Sequence, residues 1–258
     1  MFGVLTSHIP QLEAMKKYPQ TLYYKGSLEL LQRPKISIVG TRNPSVYTKV
    51  YTHELAKKLA LNGMVVVSGA AAGVDTVAHE GASIDNTIAV LPCGIDIRYP
   101  AANKKLIEGI ERNGLTLSQF ENDFTAREWS FVVRNEVVVA LGDVLIITEA
   151  ALDSGSMRSA EFAIEMGKSI YVLPHHLRES EGTHWLCARG YASAIEDIDT
   201  FVAHISKTAL NTQKDTPFIA FCRTLPTYEE VMARFAGDIF QAELLGIVEV
   251  KNGRVVVV

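Results

Sequence analysis

The stretch SIVGTRNPS, residues 37–45, sets a pattern that much of the chain repeats. A short β-branched run ends in glycine, Thr-Arg follows, and Pro44 fixes the turn ahead of a helical stretch. Strand, small-residue turn and helix in that order open a βαβ unit. The GxGxxG fingerprint of dinucleotide sites is missing. Arg42 falls just past the strand end. There a guanidinium can hold a phosphate with two hydrogen bonds beside a helix N-terminus, or can equally tie down a neighbouring loop through its carbonyls.

The same signature recurs along the chain. KISIV (35–39), MVVVS (64–68), TIAVL (87–91), VLIIT (144–148) and SIYVL (169–173) are continuous apolar runs, the pattern of strands buried on both faces of a parallel sheet. Between them lie TKVYTHELAKKLALNG (48–63), VDTVAHEGASI (74–84), NKKLIEGIERNG (103–114) and SMRSAEFAIEMG (156–167), with helical spacing. Three of these close on glycine, a common helix stop. The expected fold is therefore α/β: a mostly parallel, doubly wound sheet with helices on both faces. Ligands of such sheets bind in loops at the carboxyl ends of the strands. The loops to watch are GTRNPS (40–45), SGAAAG (68–73), PCGIDIRYP (92–100) and EAALDSGS (149–156).

Composition narrows the function. With 258 residues, 48% of them hydrophobic, the chain is long enough for one large domain and a small appendage. The formal net charge of −4 argues against a surface coated in positive charge, so any polyanion site must be local. No apolar run reaches the roughly 18 residues of a membrane span, and the start lacks the order of a secretory signal, so a cytoplasmic protein is expected. Cys93, Cys187 and Cys222 are widely spaced and form no CxxC pair, which gives no sign of a zinc knuckle or disulfide framework.

Several loops carry two readings each. In SGAAAGVDTVAH (68–79) small side chains either open backbone amides to an anion or let a helix pack tightly on the sheet; Asp75 and His79, four apart, are expected to make a structural contact. In LDSGSMRSAEFA (152–163) Ser156 is a natural N-cap, and the same free amides suit phosphate capture. In WSFVVRNEVVVALG (129–142) aromatics beside Arg134 and Asn135 resemble the mixture that grips single-stranded nucleic acid, with Phe131 as plain core the alternative.

Taken together, IVGTR, SGAAAGVDTVAHEGA, IAVLPCGIDIRYP, FVVRNEVV, EAALDSGSMRSAEFA and VLPHHLRESEGTHWL, in this order and spacing, resemble the DNA-processing protein A (DprA/Smf) family over roughly residues 18–205. The resemblance implies an extended Rossmann-like fold and a homodimer without cofactor, metal or catalytic residues. It further implies binding of single-stranded DNA, protection of incoming strands in natural transformation, and help in loading RecA recombinase onto them. Carried over by position, the DNA site would use Gly40, Thr41, Arg42, Ser68, Gly69, Phe131, Arg134, Asn135, Ser154, Gly155 and Ser156, with Arg127 and Lys168 as rim cations. The domain reading is a short N-terminal extension (1–33), the Rossmann-like domain (34–205), a polar linker (206–217), and a small C-terminal domain (218–258) resembling a winged helix shortened in its middle. Within that last domain the Asn252-Gly253 pair predicts a hairpin. The N-terminal helical module that many family members carry is expected to be absent or vestigial.

A rival reading is an enzyme related to the lysine-decarboxylase-like phosphoribohydrolases, with Glu149 and Glu161 as acid and base, although their Pro-Gly-Gly-x-Gly-Thr-x-x-Glu loop is not found here. A nicotinamide-dependent oxidoreductase fits less well, because no acidic residue closes the second strand.

Overall fold

The apolar runs form strands whose alternate residues serve two different cores. In the computed structural model, which describes residues 2–214, 217–222, 224–244, 248–251 and 253–257, the chain divides into two compact units, Met1–Ser206 and Lys207–Val258. The first unit begins with β1 (Gly3–Val4), β2 (Tyr23–Gly26), β3 (Lys35–Val39), α1 (Val46–Leu61), β4 (Val65–Ser68), α2 (Val74–Ala82) and β5 (Thr87–Leu91). It continues with α3 (Lys104–Asn113), β6 (Leu115–Ser118), α4 (Glu128–Leu141), β7 (Val144–Ile147), α5 (Gly155–Glu165), β8 (Ile170–Val172), α6 (Glu181–Ala188), β9 (Ala192–Ala194) and the start of α7 (Ile198–Lys214), whose residues from Lys207 on belong to the second unit.

The strands form one sheet in the order β1-β2-β6-β5-β4-β3-β7-β8-β9, parallel from β6 to β9, with β1 and β2 antiparallel at one edge. Ile36 and Ile38 of β3 pack with Leu55 and Leu59 of α1 and Val74 and Ala78 of α2. On the opposite face Val39 packs with Val137–Leu141 of α4 and with Met157, Ala160 and Ala163 of α5. Each such leucine or isoleucine withdrawn from water contributes about 1.5–3 kcal/mol. This two-sided burial explains why the runs are continuous rather than alternating.

Two boundaries differ from the sequence reading. Residues 1–33 are not a separate extension, because β2 pairs with β6 and Leu12, Leu22, Leu30 and Leu31 are buried in the main core. The expected linker is helical as far as Lys214, since α7 runs through it without a glycine or proline to stop it, and polarity alone does not break a helix. Asp215 and Thr216 lie outside the described residues.

The second unit holds α8 (Pro217–Cys222), α9 (Tyr228–Leu244), β10 (Val248–Lys251) and β11 (Arg254–Val257). The two strands pair as the expected hairpin, although its turn residue Asn252 lies outside the described residues. Thr227 adds an antiparallel bridge to Arg254. Non-helical angles at Phe235 break α9 into two segments, so helix occupies the middle of this unit that the sequence reading left empty. Phe218, Cys222, Val231, Ile239, Val248 and Val255 close a small core.

Candidate functional site

At β3 the chain order reverses: β4, β5 and β6 are laid down on one side of it, β7, β8 and β9 on the other. The helix after β3 packs on one face of the sheet and the helix after β7 on the opposite face. The two loops therefore splay apart and leave a crevice at the carboxyl ends of the strands. A cleft of about 520 Å³ lies there, within the range of small-ligand sites. Gly40, Thr41 and Arg42 form one wall and Ser154, Gly155 and Ser156 another, while Phe131, Arg134 and Asn135 of α4 and Gly69 after β4 complete it.

The three small-residue loops differ in what their amides do. At α1, Ser45 Oγ accepts from Thr48 N at 3.1 Å, while the Glu149 carboxylate accepts from Ser45 N at 3.0 Å and from the Thr48 hydroxyl. The positive end of α1 is thus already occupied by a carboxylate of the same chain. At α2, Asp75 Oδ2 accepts from Gly69 N at 3.1 Å and from Ala71 N at 3.2 Å. The expected Asp75–His79 contact is not formed; His79 Nδ1 lies 2.6 Å from Thr87 Oγ1 instead, and burial pulls its pKa down to about 3. At α5, by contrast, Ser154 Oγ donates to Ala151 O, and the amides of Gly155 and Ser156 have no acceptor among the described residues. The buried Ser159 hydroxyl, one turn further along, also lacks a partner. Of these three loops, the one before α5 leaves an open, electropositive helix start at the cleft.

Arg134 is buried at 4% exposure and points into the protein. It donates to the carbonyls of Gly69 and Val90 and, through Nε, to Asn135 Oδ1 at 3.0 Å. A side chain at Gly69 would collide with its guanidinium. Burial raises the pKa of Asp75 against the opposing pull of Arg134 and the two amides. Arg134 therefore works as an internal strut between α4 and the ends of β4 and β5, with its Nε and Nη1 donors already engaged. Asn135 extends that strut by donating to Gly155 O at 3.4 Å. Ser68 is likewise structural, fully buried with its hydroxyl donating to Ile38 O at 2.7 Å.

Arg42 is an exposed cation of the cleft. Its guanidinium makes no hydrogen bond or ion pair among the described residues, so it does not tie down a loop, and it lies 5.2 Å from the centroid of the half-buried Phe131 ring. Thr41 lines the cleft and also holds the turn, donating its amide to Glu149 O and accepting from Asn43 N at its hydroxyl. Tyr99, absent from the sequence-derived set, meets Phe131 edge to face at 5.7 Å. Arg158, also missed, lines the cleft one turn into α5 and pairs with Glu161 at 2.7 Å.

Neither of the two expected rim cations is among the residues that line the cleft. Lys168 Nζ donates to the carbonyls of Val139, Ala140 and Gly142, capping the far end of α4, some 20 Å along a 14-residue helix from its cleft-facing start. Burial lowers its pKa to about 8. Arg127 is exposed at the N-cap of α4, one residue before the cleft-lining Glu128, and its backbone exchanges hydrogen bonds with Ser130. Glu149 and Glu161 do not converge, since the first caps α1 and the second pairs outward with Arg158. Among the described residues no group of three or more His, Cys, Asp or Glu is placed to hold a metal, and no helix is long and apolar enough to cross a membrane.

Comparison with known proteins gives a consistent family. The model for DNA recombination-mediator protein A matches residues 6–206. DNA processing protein DprA of Streptococcus pneumoniae is 34% identical over 73% of this chain and 68% of its own length. Protein Smf of Escherichia coli is 34% identical over 70% of this chain, which spans half of that relative's length. A solved structure of DNA processing protein A from Helicobacter pylori, studied for its single-stranded DNA binding mode, superposes with a TM-score of 0.79 at 43% identity, covering 80% of this chain and 96% of that one.

Proposed function

The chain belongs to the DNA recombination-mediator protein A family, and from that premise we propose that its cleft binds single-stranded DNA. The observation that carries the reading is the meeting, at one strand-order reversal, of a free exposed guanidinium, an aromatic ring and an open helix start. Arg42 clamps a backbone phosphate, the Gly155 and Ser156 amides hold a second oxyanion, and Phe131 offers an apolar surface to a base. A duplex keeps its bases stacked and paired, so it gains nothing from the aromatic wall. The acidic chain is suited to this because the positive potential is local.

By the same reading the protein protects single strands entering the cell during transformation and passes them to RecA recombinase, acting in the cytoplasm as a homodimer. The second unit, with helix, bridged residue, broken helix and hairpin in winged-helix order, serves as an accessory that contacts proteins.

Fluorescence anisotropy of a labelled single-stranded oligonucleotide, with duplex competitor and varied salt, tests the reading. Wild type should prefer single strands, with log affinity falling by about 0.7 per phosphate contacted for each decade of salt. Arg42→Ala should lose about tenfold in affinity and flatten that slope by one contact. Binding indifferent to Arg42 would overturn the assignment of the cleft.

A further inference from the structure

We propose that a groove at the β2–β6 end of the sheet is a docking site for a partner protein, and that it takes an arginine side chain from an extended segment of that partner. The groove has a volume of about 420 Å³ and is separate from the cleft: β5 and β4 lie between it and β3, and the two share no lining residue. It forms because Tyr23 of β2 pairs with Ser118 of β6, which brings residues 17–23 beside residues 119–121. Val133 and Glu136 of α4 close the remaining side. Tyr18, Tyr23 and Phe120 give the groove aromatic walls. Two of these rings are fixed by stacking, Tyr18 on His8 with centroids 5.0 Å apart and Phe120 on Phe124 at 4.6 Å.

The groove also offers acceptors that lack donors. The exposed Glu121 carboxylate makes no hydrogen bond or ion pair among the described residues. Glu136 accepts from Lys16 N at 2.8 Å through Oε1 and leaves Oε2 free among the same residues. Gln119 Oε1 is buried and has no donor at all. A buried acceptor is costly unless something serves it. Lys17, the cation on the rim, is exposed without a partner among the described residues, so its head group stays in water. Aromatic faces, carboxylate oxygens and an amide oxygen together match a guanidinium, which stacks on rings and donates from a planar fork. A phosphate would be repelled by the same carboxylates. Past Tyr18, Pro19 and Gln20 the groove runs on into a cavity of about 200 Å³ whose walls include Leu5, Ile9, Leu12 and Leu22. A small free cation would leave that second cavity empty, whereas a chain segment with an aliphatic residue beside its arginine fills both.

The test uses the full chain and a fluorescein-labelled peptide, Gly-Ser-Arg-Leu-Ser-Gly, with its citrulline analogue, which keeps the shape of arginine without the charge. Anisotropy should show saturable binding of the arginine peptide, at least about tenfold weaker for the citrulline form and weaker again as salt rises. The double variant Glu121→Gln/Glu136→Gln should lose about tenfold in peptide affinity and keep wild-type affinity for oligo-dT. Gln119→Leu should weaken the peptide about fivefold without lowering the melting temperature, because it removes an acceptor that has no partner in the free protein. The docking site is wrong if the arginine peptide fails to bind at about 1 mM, binds no better than the citrulline form, or binds these variants as it binds wild type. Loss of oligo-dT along with the peptide in a folded double variant would also overturn it, by making the groove part of the DNA site. The single-strand reading is decided separately, by oligo-dT binding to wild type.

Discussion

Residues 68–73 and residues 152–156 form two loops of small residues at the same sheet edge, each feeding a helix, and they end in different chemistry. The difference lies at the second helical position. In α2 that residue is Asp75, whose carboxylate takes the Gly69 and Ala71 amides, so the loop is closed by its own chain. In α5 it is Ser156, with no acidic residue in the first turn, and the amides stay open to the cleft. A run of small residues before a helix is therefore not itself an anion site. What matters is whether the chain supplies the anion.

The largest effect expected from this contrast is on stability. Asp75→Ala strips the partner from two amides and from the buried Arg134, and breaking such a buried set typically costs about 3–5 kcal/mol. Chemical denaturation should show that loss; a change below about 1 kcal/mol, the usual scale of a surface substitution, would mean that the α2 loop does not depend on its internal anion.

A smaller effect is expected at Lys168, whose three carbonyl partners place it outside the cleft. Lys168→Ala should lower stability by about 1–3 kcal/mol through unpaired carbonyls and leave DNA affinity and its salt slope unchanged. The pH dependence has a defined sign. With a folded pKa of about 8 against 10.5 when unfolded, the unfolded chain holds more protons between those values. The stability gap between wild type and variant should widen as pH rises through that window. Weaker DNA binding in Lys168→Ala would return this residue to the rim of the site.

The five apolar runs were legible because burial on both faces leaves no polar positions in a strand. The strands at 23–26 and 115–118 were not, since YYKG and LTLS are short and take strand geometry from distant partners, one another across nearly a hundred residues and, for LTLS, β5. In the cleft, Arg42 could be located from its place after β3. The inward turn of Arg134 could not, because it follows from the close approach of Gly69 and from a buried Asp75 that no local pattern brings together. Lys168 misled for a similar reason: its partners are carbonyls at the end of a helix whose terminus lies 26 residues earlier in the chain. Tyr99 had a sequence signal, since its loop leaves a strand at the binding edge, yet only the packing of its ring on Phe131 gives it a part in the site.

The most direct measurement gives the second loop the residue that closes the first. Single-stranded DNA binding by Ser156→Asp, followed by anisotropy with the thermal midpoint read on the same samples, sets a carboxylate against the α5 amides at the position that Asp75 occupies in α2. The account predicts a folded protein that binds at least about tenfold more weakly, as expected when a fixed anion occupies the helix start and repels phosphate. A folded Ser156→Asp variant with wild-type affinity would contradict it and remove α5 from the site.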